Sequence, residues 1–177
     1  LSQQIAGMFS PPATSVIALE IDISVRIILV SLNDKPSITA FSVFPLPDHI
    51  TGDTLASLLI DFTKTHAVTT RDVVICAALK PFYIKRLKLP LLPDNELAQA
   101  AQWRLKEEIN CDIAQSVFAH QVIKKNSKID GTSTEDVLSV VTGAAQVQDV
   151  AEGLKKQGFN CLAVSATPFG YAALLER

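Results

Sequence analysis

Apolar and polar positions change period several times along the chain, and each change marks an element. Residues 16–22, 26–31 and 37–44 are β-branched, apolar runs broken at residues 23–25 and at the turn cluster Asn33-Asp34-Lys35-Pro36. Such runs with short links predict a three-stranded antiparallel meander. After a Pro/Asp/Gly loop, Leu55, Leu58, Leu59 and Phe62 recur at the spacing of one helix face. A helix over residues 53–66 is expected, with Thr51 or Asp53 as its cap. Residues 72–78 are almost wholly apolar, as in a strand covered on both faces. Residues 82–89 alternate apolar and basic side chains and run into Leu89-Pro90-Leu91-Leu92-Pro93, which predicts an edge strand.

The second half repeats this alternation of types. Asp94 is placed to cap a helix over residues 94–110, built from good helix formers. Strands follow over 117–124 and 136–142, joined by a polar loop, residues 125–135. A helix over 145–157 is expected to stop at Gly158, then a strand over 161–164, and a last helix over 167–177 whose first turn suits Pro168. Residues 1–14, with two prolines and no period, read as a flexible arm. Strands alternating with helices behind a meander place the chain in the α/β class, with a mixed sheet and flanking helices.

Composition narrows the function classes. With 48% apolar and 19% charged residues, the 177-residue chain is expected to fold throughout its centre. A net charge of -2 and scattered Lys and Arg leave little counterion release to drive nucleic-acid binding, so no nucleic-acid partner is expected. Cys76, Cys111 and Cys161 are odd in number and far apart, which reads as reduced thiols of a cytoplasmic protein. The most apolar stretch is interrupted by Glu20, Asp22 and Arg26, so no membrane span is expected. A chain that begins at Leu1, with no export signal, is expected to be a piece of a longer protein.

Little in the sequence points to chemistry. The seven glycines are isolated, so no Gly-rich phosphate cradle is present. His49, His66 and His120 lack metal-ligand spacing with each other or with the cysteines. Asp94, Glu96, Glu107, Glu108 and Asp112 cluster about one helix, which reads better as a charged helix surface than as paired catalytic carboxylates. Cys111 beside Asp112 reads as a buried, inert thiol. No catalytic residue, cofactor or metal is assigned. Trp103 is more informative. At 100° per residue, Leu97, Ala98, Ala101, Leu105 and Ile109 form one stripe and Trp103 falls opposite, beside Gln99, Ala100 and Glu107. It is either a partner anchor or is covered by the first lobe.

The stretch from Leu89 through Pro93, Glu96, Leu97 and Trp103 to Ile109, followed by Asp112, resembles the PilM family of type IV pilus assembly proteins. In that family an "LP…P-x-x-E-L…A-x-x-W-E" stretch precedes a short turn and a strand. Related cytoplasmic domains belong to platform proteins of mannose-sensitive and bundle-forming pili and to the L component of type II secretion. The hairpin over residues 17–32 is similar to the family's opening hairpin. Residues 153–165 and 167–175 are similar to the strand and helix closing its first domain.

The resemblance implies the first domain of an actin-like (RNase H-like) fold. The core lobe would comprise residues 15–78 and 129–177, with an inserted α+β subdomain over 79–128. It also implies a cytoplasmic scaffold domain at the inner face of the bacterial inner membrane, in a type IV pilus or type II secretion platform. Two partners follow from it, the N-terminal domain of the cognate secretion ATPase and the N-terminus of a PilN-like inner-membrane protein, docking between core lobe and insertion. The candidate partner-binding residues are Leu89, Leu91, Leu92, Trp103, Arg104 and Glu107.

The departures bear on nucleotide. Nucleotide-binding members present an Asp and then a Gly in the first hairpin. Here Glu20 holds the aspartate position and Asp22 the glycine position, in a hairpin (Glu20, Asp22, Ser24, Arg26) whose turn is one residue short. A carboxylate at the glycine position repels phosphate and removes backbone freedom. The chain also ends before a second domain that would complete such a site, so it is not expected to act as an enzyme. The alternative is the N-terminal half of an actin-like ATPase or kinase-type enzyme that binds nucleotide with a second domain.

Overall fold

The computed structural model describes residues 14–77, 79, 82–109, 112–129 and 132–166. The arm expected over residues 1–14, but for Thr14, and the helix expected over 167–177 lie outside them. The chain divides into two compact units. The first extends to Cys76 and takes in Gly153–Val164, and the second contains Ala77–Glu152.

The first unit carries a five-stranded sheet in the order β3-β2-β1-β4-β8. Its strands are β1 (Ser15–Ile21), β2 (Ser24–Ser31), β3 (Ser37–Pro45), β4 (Asp72–Ala77) and β8 (Asn160–Ser165). The front three form the expected antiparallel meander, with Leu19 opposite Ile27 and Ile21 opposite Val25. The period of two sends Ile17, Leu19, Ile21, Val25 and Ile27 to one buried face. Burying each side chain of this size contributes about 1.5–3 kcal/mol. On β4 only alternate residues, Val73, Ile75 and Ala77, are fully buried, so the strand is less evenly covered than its apolar run suggests.

Helix α1 (Gly52–Thr65) begins at Thr51, which exchanges side-chain hydrogen bonds with Thr54 in a capping box. It buries Leu55, Ala56, Leu59 and Phe62. Its end is a Schellman motif: the Ala67 N–H donates to the Lys64 carbonyl and the Val68 N–H to that of Thr63. Ala67 occupies the left-handed position at φ 52°. Helix α3 (Ala144–Lys156) ends the same way with Gly158 at φ 79°, the glycine expected there.

The second unit is a helix laid on an antiparallel sheet of order β5-β7-β6. Its elements are β5 (Phe82–Pro90), α2 (Asp94–Glu108), a 3-10 turn (Ile113–Gln115), β6 (Ser116–Ile129) and β7 (Thr132–Gly143). Leu87, Leu89, Val137 and Val141 from the sheet enclose a core with Leu97, Ala101, Leu105 and Ile109. The helical stripe and the edge position of β5 are as expected.

The structure departs from the sequence expectations at three places. Asp94 does not cap α2. Pro93 holds the cap position without a side-chain bond, its carbonyl accepting from the Glu96 and Leu97 N–H groups, and Asp94 lies in the first turn. Residues 125–135 are not simply a loop, because the ladder continues through Ser127 opposite Thr134 to Ile129 opposite Thr132. Polar residues conceal this, since backbone pairing on a two-stranded ribbon needs no apolar side chain. Finally, β7 does not belong to the core lobe. It is the central strand of the second sheet, so the unit boundary lies near 152 instead of 128.

Candidate functional site

The first hairpin is drawn together by Arg26. Glu20 and Arg26 are directly opposed on β1 and β2, and Ile21 pairs with Val25 to leave a three-residue turn. The Asp22 N–H closes it on the Ser24 carbonyl at 3.1 Å. Arg26 Nε lies 2.9 Å from Glu20 Oε2, off-line for a hydrogen bond, and Nη2 lies 3.7 Å from Asp22 Oδ2. Half-exposed pairs of this kind contribute about 0–1 kcal/mol. Two carboxylates on one guanidinium leave the hairpin tip anionic, the wrong sign for phosphate.

The outer face of α2 is the more developed surface. The buried stripe of Leu97, Ala101 and Leu105 turns residues 99, 102, 103 and 106 outward. Gln99, Gln102, Trp103 and Lys106 line a depression of about 410 Å³, closed on one side by Ala114. Asp112 sets this wall: its side chain accepts from the Ala114 N–H at 3.0 Å, and its carbonyl accepts from the Gln115 N–H and Ser116 hydroxyl. Trp103 is 62% exposed. Lys106 Nζ lies 5.7 Å from its ring centroid, a cation–π contact that steadies the indole without covering it.

The other candidate residues divide. Leu89 is buried in the core beneath α2 and cannot meet a partner, because alternation along β5 sends it inward with Leu87. Leu91 is exposed and Leu92 half-buried, and neither lines the depression. Their strap is tied to β7, the Leu91 N–H donating to the Ser133 carbonyl and the Leu92 N–H to Glu135 Oε1. Arg104 pairs with Glu107 at 2.9 Å and Glu108 at 3.5 Å along the helix. Sequence reasoning missed Gln99 as a lining residue, with Gln102, Lys106 and Ala114. The 99-102-103-106 helical stripe is the signal that identifies three of them.

Reactive groups are muted. Burial pushes the Cys76 and Cys161 thiols up, so neither favours the thiolate. Burial pulls the His120 imidazole down beside the stacked Phe118 ring. His66 packs against Phe62, with Nε2 2.9 Å from the Ser42 hydroxyl. Cys111 lies outside the described residues. Among the described residues no cluster of His, Cys, Asp or Glu has the arrangement of a metal site, and no helix is long and apolar enough to cross a membrane.

No family model matches the chain, and no curated protein matches it. Solved structures do. The chain is similar to one in the PilM-PilN type IV pilus biogenesis complex, with a TM-score of 0.76 and 20% identity, over 94% of this chain and 51% of that one. It is also similar to the cytoplasmic domain of EpsL, an inner membrane component of the type II secretion system of Vibrio cholerae. There the TM-score is 0.56 and the identity 16%, over 85% of this chain and 57% of that one. The chain thus spans little more than half the length of these structures. What it shares with them is the fold, the PilM-like α/β fold that the sequence resemblance implies.

Proposed function

We propose that this chain is a cytoplasmic scaffold domain of a type IV pilus or type II secretion platform, held at the inner face of the inner membrane by its partners. It binds other machinery proteins and does not itself hydrolyse ATP. The observation that carries the reading is the fold likeness to a chain of the PilM-PilN complex over 94% of the sequence. The first hairpin supports it, since Glu20 and Asp22 gather about Arg26 where a phosphate site needs backbone and cation.

The partners proposed are the N-terminus of a PilN-like inner-membrane protein and the N-terminal domain of the cognate secretion ATPase. The outer face of α2 suits protein recognition. Trp103 supplies a large amphipathic anchor, Gln99 and Gln102 supply adaptable hydrogen bonds, and Lys106 a cation. Leu91, Arg104 and Glu107 are exposed and extend the candidate surface.

Trp103 is the sole tryptophan, so its fluorescence reports on that face directly. The test is a titration with a PilN-like N-terminal peptide, with the ATPase N-terminal domain, and with Mg-ATP. A saturable response to either protein ligand and none to millimolar nucleotide is expected. Saturable ATP binding, or silence toward both protein ligands by fluorescence and calorimetry, overturns the reading.

A further inference from the structure

Strand β3 closes one side of the five-stranded sheet, with β2 as its only strand neighbour among the described residues. Its nine residues, Ser37–Pro45 (SITAFSVFP), contain no charge. Edge strands are normally guarded against pairing by Lys, inward-pointing charge or Pro within the strand. On β5 that guard is present as Lys85, Arg86 and Lys88. On β3 the nearest charges, Asp34, Lys35 and Asp48, lie outside the strand. Beside the exposed Ser37 and Thr39, three large apolar side chains face outward: Ile38 is 64% exposed, Phe41 55% and Val43 54%.

Phe41 and Val43 share a sheet face, while Ser42 points the other way, toward His66 at the end of α1. The ladder to β2 is regular from Ala40 to Pro45 and irregular at Thr39, where Leu29 pairs with Ala40 and Val30 with Ile38. The regular, unguarded segment is therefore bounded by a bulge at one end and Pro45 at the other.

We infer that β3 is the pairing edge of a homodimer, joining antiparallel to β3 of a second copy about a two-fold axis near Ser42. That register sets Phe41 opposite Val43 of the second copy, and Val43 opposite its Phe41, an aromatic–β-branched pair made twice. An uncharged strand offers nothing to select a charged partner, whereas its own copy meets it without like-charge repulsion. The other edge of the sheet, β8, is shorter at six residues and exposes one large apolar side chain, Leu162. One added strand pair buries less than a standard interface, so the dimer is weak and depends on concentration. This inference is independent of the scaffold reading.

The test is sedimentation equilibrium of the chain from about 1 μM to about 1 mM, the range in which a small interface dissociates. A monomer–dimer equilibrium is expected. Val43→Lys and Phe41→Lys, each on the surface, should weaken it at least about tenfold, because the two-fold places every added charge at the interface twice. Leu162→Lys should leave it unchanged, with circular dichroism confirming the fold of all three. A monomer throughout, an open-ended series of oligomers, or a dimer abolished by Leu162→Lys but not by Val43→Lys overturns the inference.

Discussion

Gly153 of α3 lies against the backbone of Gly52 at the start of α1: a Cβ on Gly153 would fall 2.4 Å from the Gly52 Cα and carbonyl carbon and 2.8 Å from the Asp53 nitrogen. These neighbours are backbone atoms and cannot swing aside. The two helices meet here on their main chains, which requires glycine by contact and not by conformation. Gly153→Ala should cost about 1–3 kcal/mol despite the better helix propensity of alanine. A urea midpoint equal to or above that of the parent would show that the helices can separate freely.

Ala67 and Gly158 hold the same position in two Schellman motifs, but only one is glycine. An L-residue with a Cβ at positive φ is strained by about 1–2 kcal/mol. Ala67→Gly should therefore stabilise the chain by about 1 kcal/mol, less the unfolded-state entropy that glycine adds. Thermal unfolding checks this, and an unchanged or lower midpoint contradicts it.

Leu89 and Trp103 both belong to the segment that suggests partner binding, yet they should behave oppositely. Leu89→Ala removes a buried side chain from the core under α2 and should cost about 2–5 kcal/mol of stability. Trp103→Ala should change stability by no more than about 0.5 kcal/mol. Its effect should appear in partner affinity, as a loss of at least about 2 kcal/mol. Paired denaturation and binding measurements on the two variants separate the roles, and a strongly destabilised Trp103→Ala would make the indole a packing residue.

Asp136 is buried on the central strand β7 and accepts from Arg86 Nη2 on β5. That hydrogen bond, helped by the charges of Arg86, Lys88 and Lys124, holds its carboxyl below the usual aspartate range. A depressed folded value means the ionised pair stabilises the fold above the unfolded pKa of about 4 and is lost as pH falls through the folded value. Asp136→Asn should therefore be less stable than the parent at neutral pH, and the gap should close in acid. Urea midpoints across that pH range test this, and a gap that stays constant removes Asp136 from the acid response.

Local sequence alone determined the meander, the capped α1, the buried stripe of α2 and the glycine stop of α3. Each depends on a period, a cap or a turn residue within a few positions, where side-chain chemistry and backbone geometry are coupled directly. It also determined that Trp103 faces away from the Leu97–Ala101–Leu105 stripe, since both follow from one helical repeat. Only the tertiary structure decided that Leu89 is core and Leu91 surface, because the proline-bounded run is apolar throughout and only the packing of α2 selects a face. The same holds for β7. Its apolar alternation suits either sheet; β6 is its neighbour in sequence, but the choice of β5, which lies beyond α2 and β6 along the chain, is a long-range pairing that no local pattern encodes. The contact of Gly153 with Gly52 is of this kind too, joining positions about a hundred residues apart through a requirement for space that appears only when two helices meet.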